Sequence, residues 1–178
     1  MGKDMKCEIL LVPVGTVPAE VCDWLASGLP VAFNCDCSIA PALPHPFYAW
    51  DARRKQYQAE PILAQVQKCQ TTYALAMADL DLCVPDLNFI FGLADYAGAR
   101  AIIALPRMRQ GFYHLPEDAA LFRARVIKEA VHELGHVLGL SHCRDRRCVM
   151  AFSNSLADTD YKGQEFCERC RKQLTIGN

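Results

Sequence analysis

The 178-residue chain is long enough for one domain with a substantial core, and its 52% hydrophobic and 22% charged residues are an ordinary globular balance. A formal net charge of -1 offers no general electrostatic footprint for nucleic acid or for an anionic membrane. No apolar run reaches membrane-spanning length, and Met1 to Asp4 leads straight into a strand-like segment instead of a signal peptide. The expectation is a soluble, cytoplasmic monomer.

Taken in chain order, Met5 to Val14 (MKCEILLVPV) reads as a buried strand bounded by Gly15. Pro18 opens a short helix with Val17, Val21, Trp24 and Leu25 at helical spacing and Gly28 past its end. Pro30 to Asn34 reads as a second strand, Ser38 to Pro46 as a proline-rich loop, and Tyr48 to Gln58 as a polar edge strand. Pro61 to Met77 keeps a three-to-four residue period through Ile62, Val66, Cys69, Tyr73 and Ala76, which predicts a second helix. Short strands follow at Leu80–Val84, Asn88–Gly92 and Ala99–Leu105. This alternation points to an α/β (α+β) fold with a mixed sheet.

After Pro116, with Glu117 and Asp118 in its first turn, comes the most informative helix. At about 100° per residue, Val126, Ile127, Ala130, Val131, Leu134, Val137 and Leu138 share one face of roughly 140°. His132 and His136 project from the opposite side, one turn apart, where they can reach one cation. Glu133 flanks them. Gly139 lets the chain leave the helix through a left-handed turn and bring His142 back as a third ligand. Three imidazoles suit zinc and leave a fourth position open, the arrangement of a catalytic site. HExxH arises by chance in a chain of this length on the order of once in a few hundred, and the added Gly and third His lower that by roughly three orders of magnitude.

HELGHVLGLSH therefore matches HExxHxxGxxH, with Met150 eight residues beyond, and resembles the metzincin clan of zinc peptidases. Cys143 directly after the third histidine, then Cys148, Met150 and Cys167-x-x-Cys170, make the run similar to the archaemetzincin (archaelysin) family. The resemblance implies a metzincin-like zincin fold: a mixed twisted sheet, a backing helix and an active-site helix. It implies that His132, His136 and His142 bind a catalytic Zn2+, that Glu133 is general base to a zinc-activated water, and that Met150 forms the hydrophobic floor of the Met-turn. Phe152 stands where some clan members carry a ligating tyrosine, so three protein ligands are expected. A peptide or protein substrate is expected to lie along an edge strand between Asn88 and Leu105.

The ten cysteines divide into two populations. Without a secretion signal, metal ligation is the stronger reading and a disulfide framework the weaker. Cys143-x4-Cys148 and Cys167-x-x-Cys170 have the spacing of two knuckles closing one structural zinc site, so two zinc ions per chain are expected. Arg144, Arg146, Arg147, Arg169, Arg171 and Lys172 surround the knuckle, but Asp145, Glu165 and Glu168 interleave, and a solvated surface is favoured over nucleic-acid binding. Cys7 and Cys69 sit at apolar positions as small hydrophobes, while Cys35 and Cys37 could bind metal or oxidise. The expected division is residues 1–138, with sheet and active-site helix, and 139–178, with the third histidine, Met-turn and four-cysteine zinc staple. The function expected is zinc-dependent peptide-bond hydrolysis, and the family resemblance leans towards an aminopeptidase or a narrow-specificity peptidase. The alternative is a zinc-stabilised binding protein with little turnover, which would have no need of Glu133.

Overall fold

The structure is a computed structural model that describes residues 7–66 and 72–174. The run EILLVPV forms β1 (Glu8–Val14), followed by α1 (Ala19–Phe33) and β2 (Asp36–Ile39). Two short strands, β3 (Trp50–Asp51) and β4 (Gln56–Gln58), precede α2 (Ala59–Gln65). Next come β5 (Thr72–Ala78), β6 (Leu82–Cys83), β7 (Gly92–Asp95) and β8 (Arg100–Ala104). The chain ends with the long α3 (Ala119–Val137) and the short α4 (Leu156–Tyr161) and α5 (Glu168–Gln173).

The main sheet has the order β2-β1-β5-β8-β7, parallel throughout except for β7, which pairs antiparallel with β8 and forms an edge. β3, β4 and β6 make a separate small sheet. Strand alternation sends Ile9, Leu11, Leu75, Met77 and Ile103 into one cluster with Leu25 and Leu29 of α1 and Val126, Ala130 and Leu134 of α3. The alternate residues, among them Val12, Val14, Ala76 and Ile102, pack with Ile62 and Leu63 of α2. A sheet covered on both faces explains why its central strands read as nearly continuous apolar runs. The fold class is the expected mixed α/β, with α1 and α3 backing the sheet and the C-terminal cysteine cluster beyond.

Several local expectations are corrected. The expected helix Pro61–Met77 is two elements: α2 ends at Gln65, and Tyr73 and Ala76 belong to β5. Their spacing matched a helix only because two short elements were read as one period. Cys69 lies outside the described residues. The expected strand Pro30–Asn34 is the last turns of α1, which continues through Gly28 and Pro30. Burial of Leu29 and Phe33 against the core overrides the proline's cost there, and Asn34, at φ 53°, ends the helix with its N–H on the Pro30 carbonyl at 2.9 Å. The short strand expected at Asn88–Gly92 is displaced: β7 starts at Gly92, within the Asn88–Leu105 segment where the edge strand is expected. Cys7, expected as a small hydrophobe, is joined in a disulfide to Cys35, with Cα atoms 4.7 Å apart, so Cys35 takes the oxidised of its two expected fates. The parallel pairing of Glu8 with Asp36 sets the two preceding residues side by side, which sequence spacing alone does not show. Among the described residues, no helix is long and apolar enough to cross a membrane.

Candidate active site

The helix α3 starts at Ala119, two residues after Glu117, a residue expected in its first turn. The Asp118 carboxylate caps it by accepting from the Leu121 N–H at 2.9 Å, so Glu117 and Asp118 precede the first turn. Val126, Ala130, Val131, Leu134 and Val137 are buried in the core as their spacing predicts, with Ile127 and Leu138 partly buried beside them. The opposite face is not open to solvent either: Arg125, Lys128, Glu129, His132 and Glu133 are all buried. The returning C-terminal chain covers it. Asp160 takes the Arg125 guanidinium through both carboxylate oxygens at 2.7 and 2.6 Å, and the Lys128 ammonium donates to the carbonyls of Thr159 and Asp160. Helix α3 is therefore a central helix, and its histidines form the floor of a cleft.

Each helical histidine is held by a backbone carbonyl. His132 Nδ1–H donates to Val149 O at 2.9 Å and His136 Nδ1–H to Leu140 O at 2.7 Å, which leaves both Nε2 atoms, 3.1 Å apart, facing one point. Gly139, at φ 88°, turns the chain out of the helix, with the Leu140 N–H on Gly135 O at 2.9 Å. This turn brings His142 round so that its ring centroid lies 5.4 Å from that of His132 and 4.8 Å from that of His136. The three ligand nitrogens lie within 4.8 Å of one another. At a zinc–nitrogen bond of about 2.0–2.1 Å, tetrahedral ligands stand about 3.3 Å apart, close to the His132–His136 separation. Burial, reinforced by the nearby Lys162 ammonium, pulls the His132 pKa down to about 2. Burial and the neighbouring His136 lower that of His142. Neutral imidazoles are the state a metal needs.

Two glycines make room for this floor. Met150 is fully buried, and a Cβ on Gly135 would lie only 2.4 Å from its sulfur, so the methionine packs on the helix backbone between the two histidines. A Cβ on Gly92 would lie 2.5 Å from Cγ of Glu133, so the edge strand touches the carboxylate side chain itself. Burial first, and then the adjacent Glu129, raises the Glu133 carboxyl well above its ordinary range. The cleft above has a volume of about 620 Å³. Gly92, Leu93 and Ala94 of β7 form one wall, Phe89 and Phe91 another, and Phe152 stands beside the histidines with its ring 5.0 Å from His142. The exposed Asp86 lies at the rim.

Behind the histidines, Cys143, Cys148, Cys167 and Cys170 converge, with all four sulfurs within 4.8 Å of one another. Cys143 and Cys167 are 3.7 Å apart, close to the edge of about 3.8 Å for a tetrahedron with zinc–sulfur bonds of about 2.3 Å. The Cys167 N–H donates to Cys148 Sγ at 3.3 Å and Arg169 to Cys143 Sγ at 3.2 Å. The backbone hydrogen bond at Cys170 is the main cause that lowers Cys167 to about 7, whereas burial raises Cys148 and Cys170. Cys143 N–H donates to Met150 O at 2.8 Å, so this cluster braces the methionine segment directly. The surrounding charge is partly occupied within the chain: Arg146 and Arg147 lie over the Tyr161 ring at 4.7 and 4.4 Å.

The structure thus brings together His132, His136 and His142, and behind them Cys143, Cys148, Cys167 and Cys170, with Met150 packed beneath the histidines. It adds Gly92, Gly135, Glu129 and Lys162, which sequence reasoning missed. Glu129 had one available signal, its position four residues before Glu133 on the same helix face. Lys162 had none.

Comparison with known proteins agrees with this geometry. Residues 46–176 match peptidase family M54. The archaemetzincin of Methanocaldococcus jannaschii is 39% identical over 170 residues, covering 96% of this chain and 94% of its own. The crystal structure of an archaemetzincin from Archaeoglobus fulgidus, complexed with malonate, superposes with a TM-score of 0.84 at 36% identity and covers 94% of this chain and 99% of its own. A structure from Methanocorpusculum labreanum, described as a zinc-dependent peptidase, gives 0.85 at 27% identity, covering 94% of this chain and all of its own (100%). Fold, site and family match together define a zinc-dependent metallopeptidase, whose substrates are peptides or proteins. The chain belongs to the archaemetzincin family.

Proposed function

We propose that the chain hydrolyses peptide bonds at the cleft floor, with His132, His136 and His142 holding a catalytic zinc through their Nε2-side nitrogens and Glu133 acting as general base. Cys143, Cys148, Cys167 and Cys170 hold a second, structural zinc, and Met150 is the Met-turn residue of a metzincin-type site. The observation that carries this reading is the convergence of three imidazole nitrogens, within 4.8 Å of one another, beside a buried glutamate in an open cleft.

Bound there, zinc supplies Lewis acidity, lowering the pKa of water and polarising a carbonyl. The chain's own groups do the rest. A substrate strand adds to β7, where main-chain hydrogen bonds fix its direction and the aromatic wall of Phe89, Phe91 and Phe152 takes side chains. Glu133 takes the proton of the attacking water and returns it to the leaving amine. Burial keeps its carboxyl basic enough to accept that proton, and the Nδ1 hydrogen bonds keep the imidazoles from rotating. The exposed Asp86 carboxylate at the rim favours a substrate's free ammonium group, which supports aminopeptidase action.

The test uses zinc-loaded protein with two peptide libraries, one with free and one with acetylated N-termini, read by mass spectrometry. The reading expects two zinc ions per chain and single-residue trimming of the free library only. Internal cuts in both libraries would replace aminopeptidase action with endopeptidase action. One zinc per chain would overturn the two-site assignment.

A further inference from the structure

Glu129 and Glu133 sit one turn apart on the same face of α3, both buried, so their carboxyl groups are neighbours. Two acidic side chains at this spacing normally weaken a helix, and burying them away from water costs more. Among the described residues, the cation that answers them there is Lys162. Its side chain is 1% accessible, and its Nζ lies 3.7 Å from Glu129 Oε2 and 3.5 Å from the Ala151 carbonyl. Glu129 Oε2 is sealed from solvent and has no hydrogen-bond partner among the described residues, so the lysine compensates it by charge.

Lys162 is itself firmly placed. It ends α4, with its N–H on Asp158 O at 3.1 Å, and the next residue, Gly163, donates to Arg147 O at 2.8 Å. A Cβ on Gly163 would meet that oxygen at 2.8 Å, so the backbone packs tightly there. The lysine therefore projects from the segment between the two cysteine pairs into the back of the cleft floor. As a stabilising device the arrangement is poor, since a buried pair at this distance is matched or bettered by apolar side chains. Its direction is informative: the neighbouring buried groups lead from Lys162 to Glu129 and, one helical turn on, to the base Glu133, whose other side is blocked by Gly92.

We propose that Glu129 and Lys162 are positioning residues, a buried pair that fixes the Glu133 carboxyl at the cleft floor. The proposal rests on the assignment of Glu133 as the base. Glu129 packs on one side of that carboxyl from the preceding helical turn, Gly92 limits it from the sheet side, and Lys162 anchors Glu129 and offsets its charge. The C-terminal segment thereby acts on the reacting centre through a route separate from His142 and Met150.

The experiment compares zinc-loaded wild type with Glu129→Gln, Lys162→Met and the double variant. It measures zinc content, thermal unfolding, kcat and KM on a cleaved peptide, and the affinity of a peptide hydroxamate, whose hydroxyl hydrogen-bonds to the base. Both single variants are expected to keep two zinc ions and to lose about 10- to 100-fold in kcat with KM nearly unchanged. Hydroxamate affinity should weaken about tenfold. The double variant should be no worse than the worse single one, because the pair acts as one unit. Wild-type kcat and hydroxamate affinity in folded, zinc-replete variants would overturn the proposal, as would multiplying effects or losses that track zinc loss. If Lys162→Met does not fold, the near-isosteric Glu129→Gln decides alone. If wild type cleaves no peptide, the peptidase reading fails, and the hydroxamate arm still decides the positioning: weakened binding supports it and unchanged binding refutes it.

Discussion

Replacing Gly92 with alanine probes how the edge strand and Glu133 fit together. The new Cβ would stand 2.5 Å from Cγ, 2.7 Å from Oε1 and 2.8 Å from Cδ of Glu133. Carbon atoms in contact rest about 3.5–4.0 Å apart, so the glutamate must move by about 1 Å. It has little free space: Glu133 is 6% exposed, and Glu129 stands one turn behind it. The helix cannot give way, because Ala130, Val131 and Leu134 lock it into the core. The carboxyl must swing. A misplacement of about 1 Å costs on the order of 100-fold in rate, or about 2.7 kcal/mol of transition-state stabilisation. Gly92 is not in the left-handed region, so alanine meets no backbone strain, and overpacking limits the stability loss to about 1–3 kcal/mol. The assay is kcat on a cleaved peptide, with zinc content measured on the same sample. Full zinc with kcat within about twofold of wild type would refute the argument, since the lost rate follows directly from the crowding.

Other expectations follow from the same geometry. Gly135→Ala gains about 1 kcal/mol of helix propensity but drives a Cβ within 2.4 Å of the buried Met150 sulfur, at an overpacking cost of about 1–3 kcal/mol. Denaturant unfolding should show a net loss, and adding Met150→Ala should relieve the crowding, so the two changes combine less than additively. Mild chelation should strip one zinc from the open histidine site, where His142 is exposed, and leave the fold intact. The second metal, among Cys143, Cys148 and Cys170, which are buried, should leave only with unfolding; a first loss that melts the protein would reverse the two assignments. Glu133 also predicts a pH dependence of the metal-free protein. Its pKa is raised on folding, so its contribution is fully present below the unfolded value of about 4.3 and is lost as pH rises through the folded one. Metal-free Glu133→Gln should therefore be more stable than metal-free wild type at pH 8, by a margin that shrinks towards pH 4; a margin independent of pH would count against burial as the cause.

The parts of this site that were legible in the sequence are those fixed by short-range geometry. His132 and His136 share a helix face by spacing alone, and Gly139 marks the turn that carries His142 back. Cys143, Cys148, Cys167 and Cys170 announce themselves as pairs, and the described chain does bring them together. What stayed hidden depends on elements far apart in the chain. That Gly92 must lack a side chain follows only from where β7 passes α3, and the burial of Lys162 follows only from the path of the C-terminal segment. The Cys7–Cys35 bond likewise depends on the parallel register of β1 and β2. The fold failed to read locally where a strong core contact overrode propensity, as at Pro30 in α1. It also failed where two short elements mimicked one period, as between α2 and β5.

The central claim is that Glu133, next to three converging histidines, takes the proton that peptide hydrolysis releases. The most direct measurement loads wild type and Glu133→Ala with zinc, verifies equal metal content, and compares single-turnover cleavage of one identified peptide. The account predicts a loss on the order of 100- to 10,000-fold in the variant, the range a positioned general base supplies. Equal cleavage by the two zinc-replete proteins would contradict it and move the base elsewhere in the cleft.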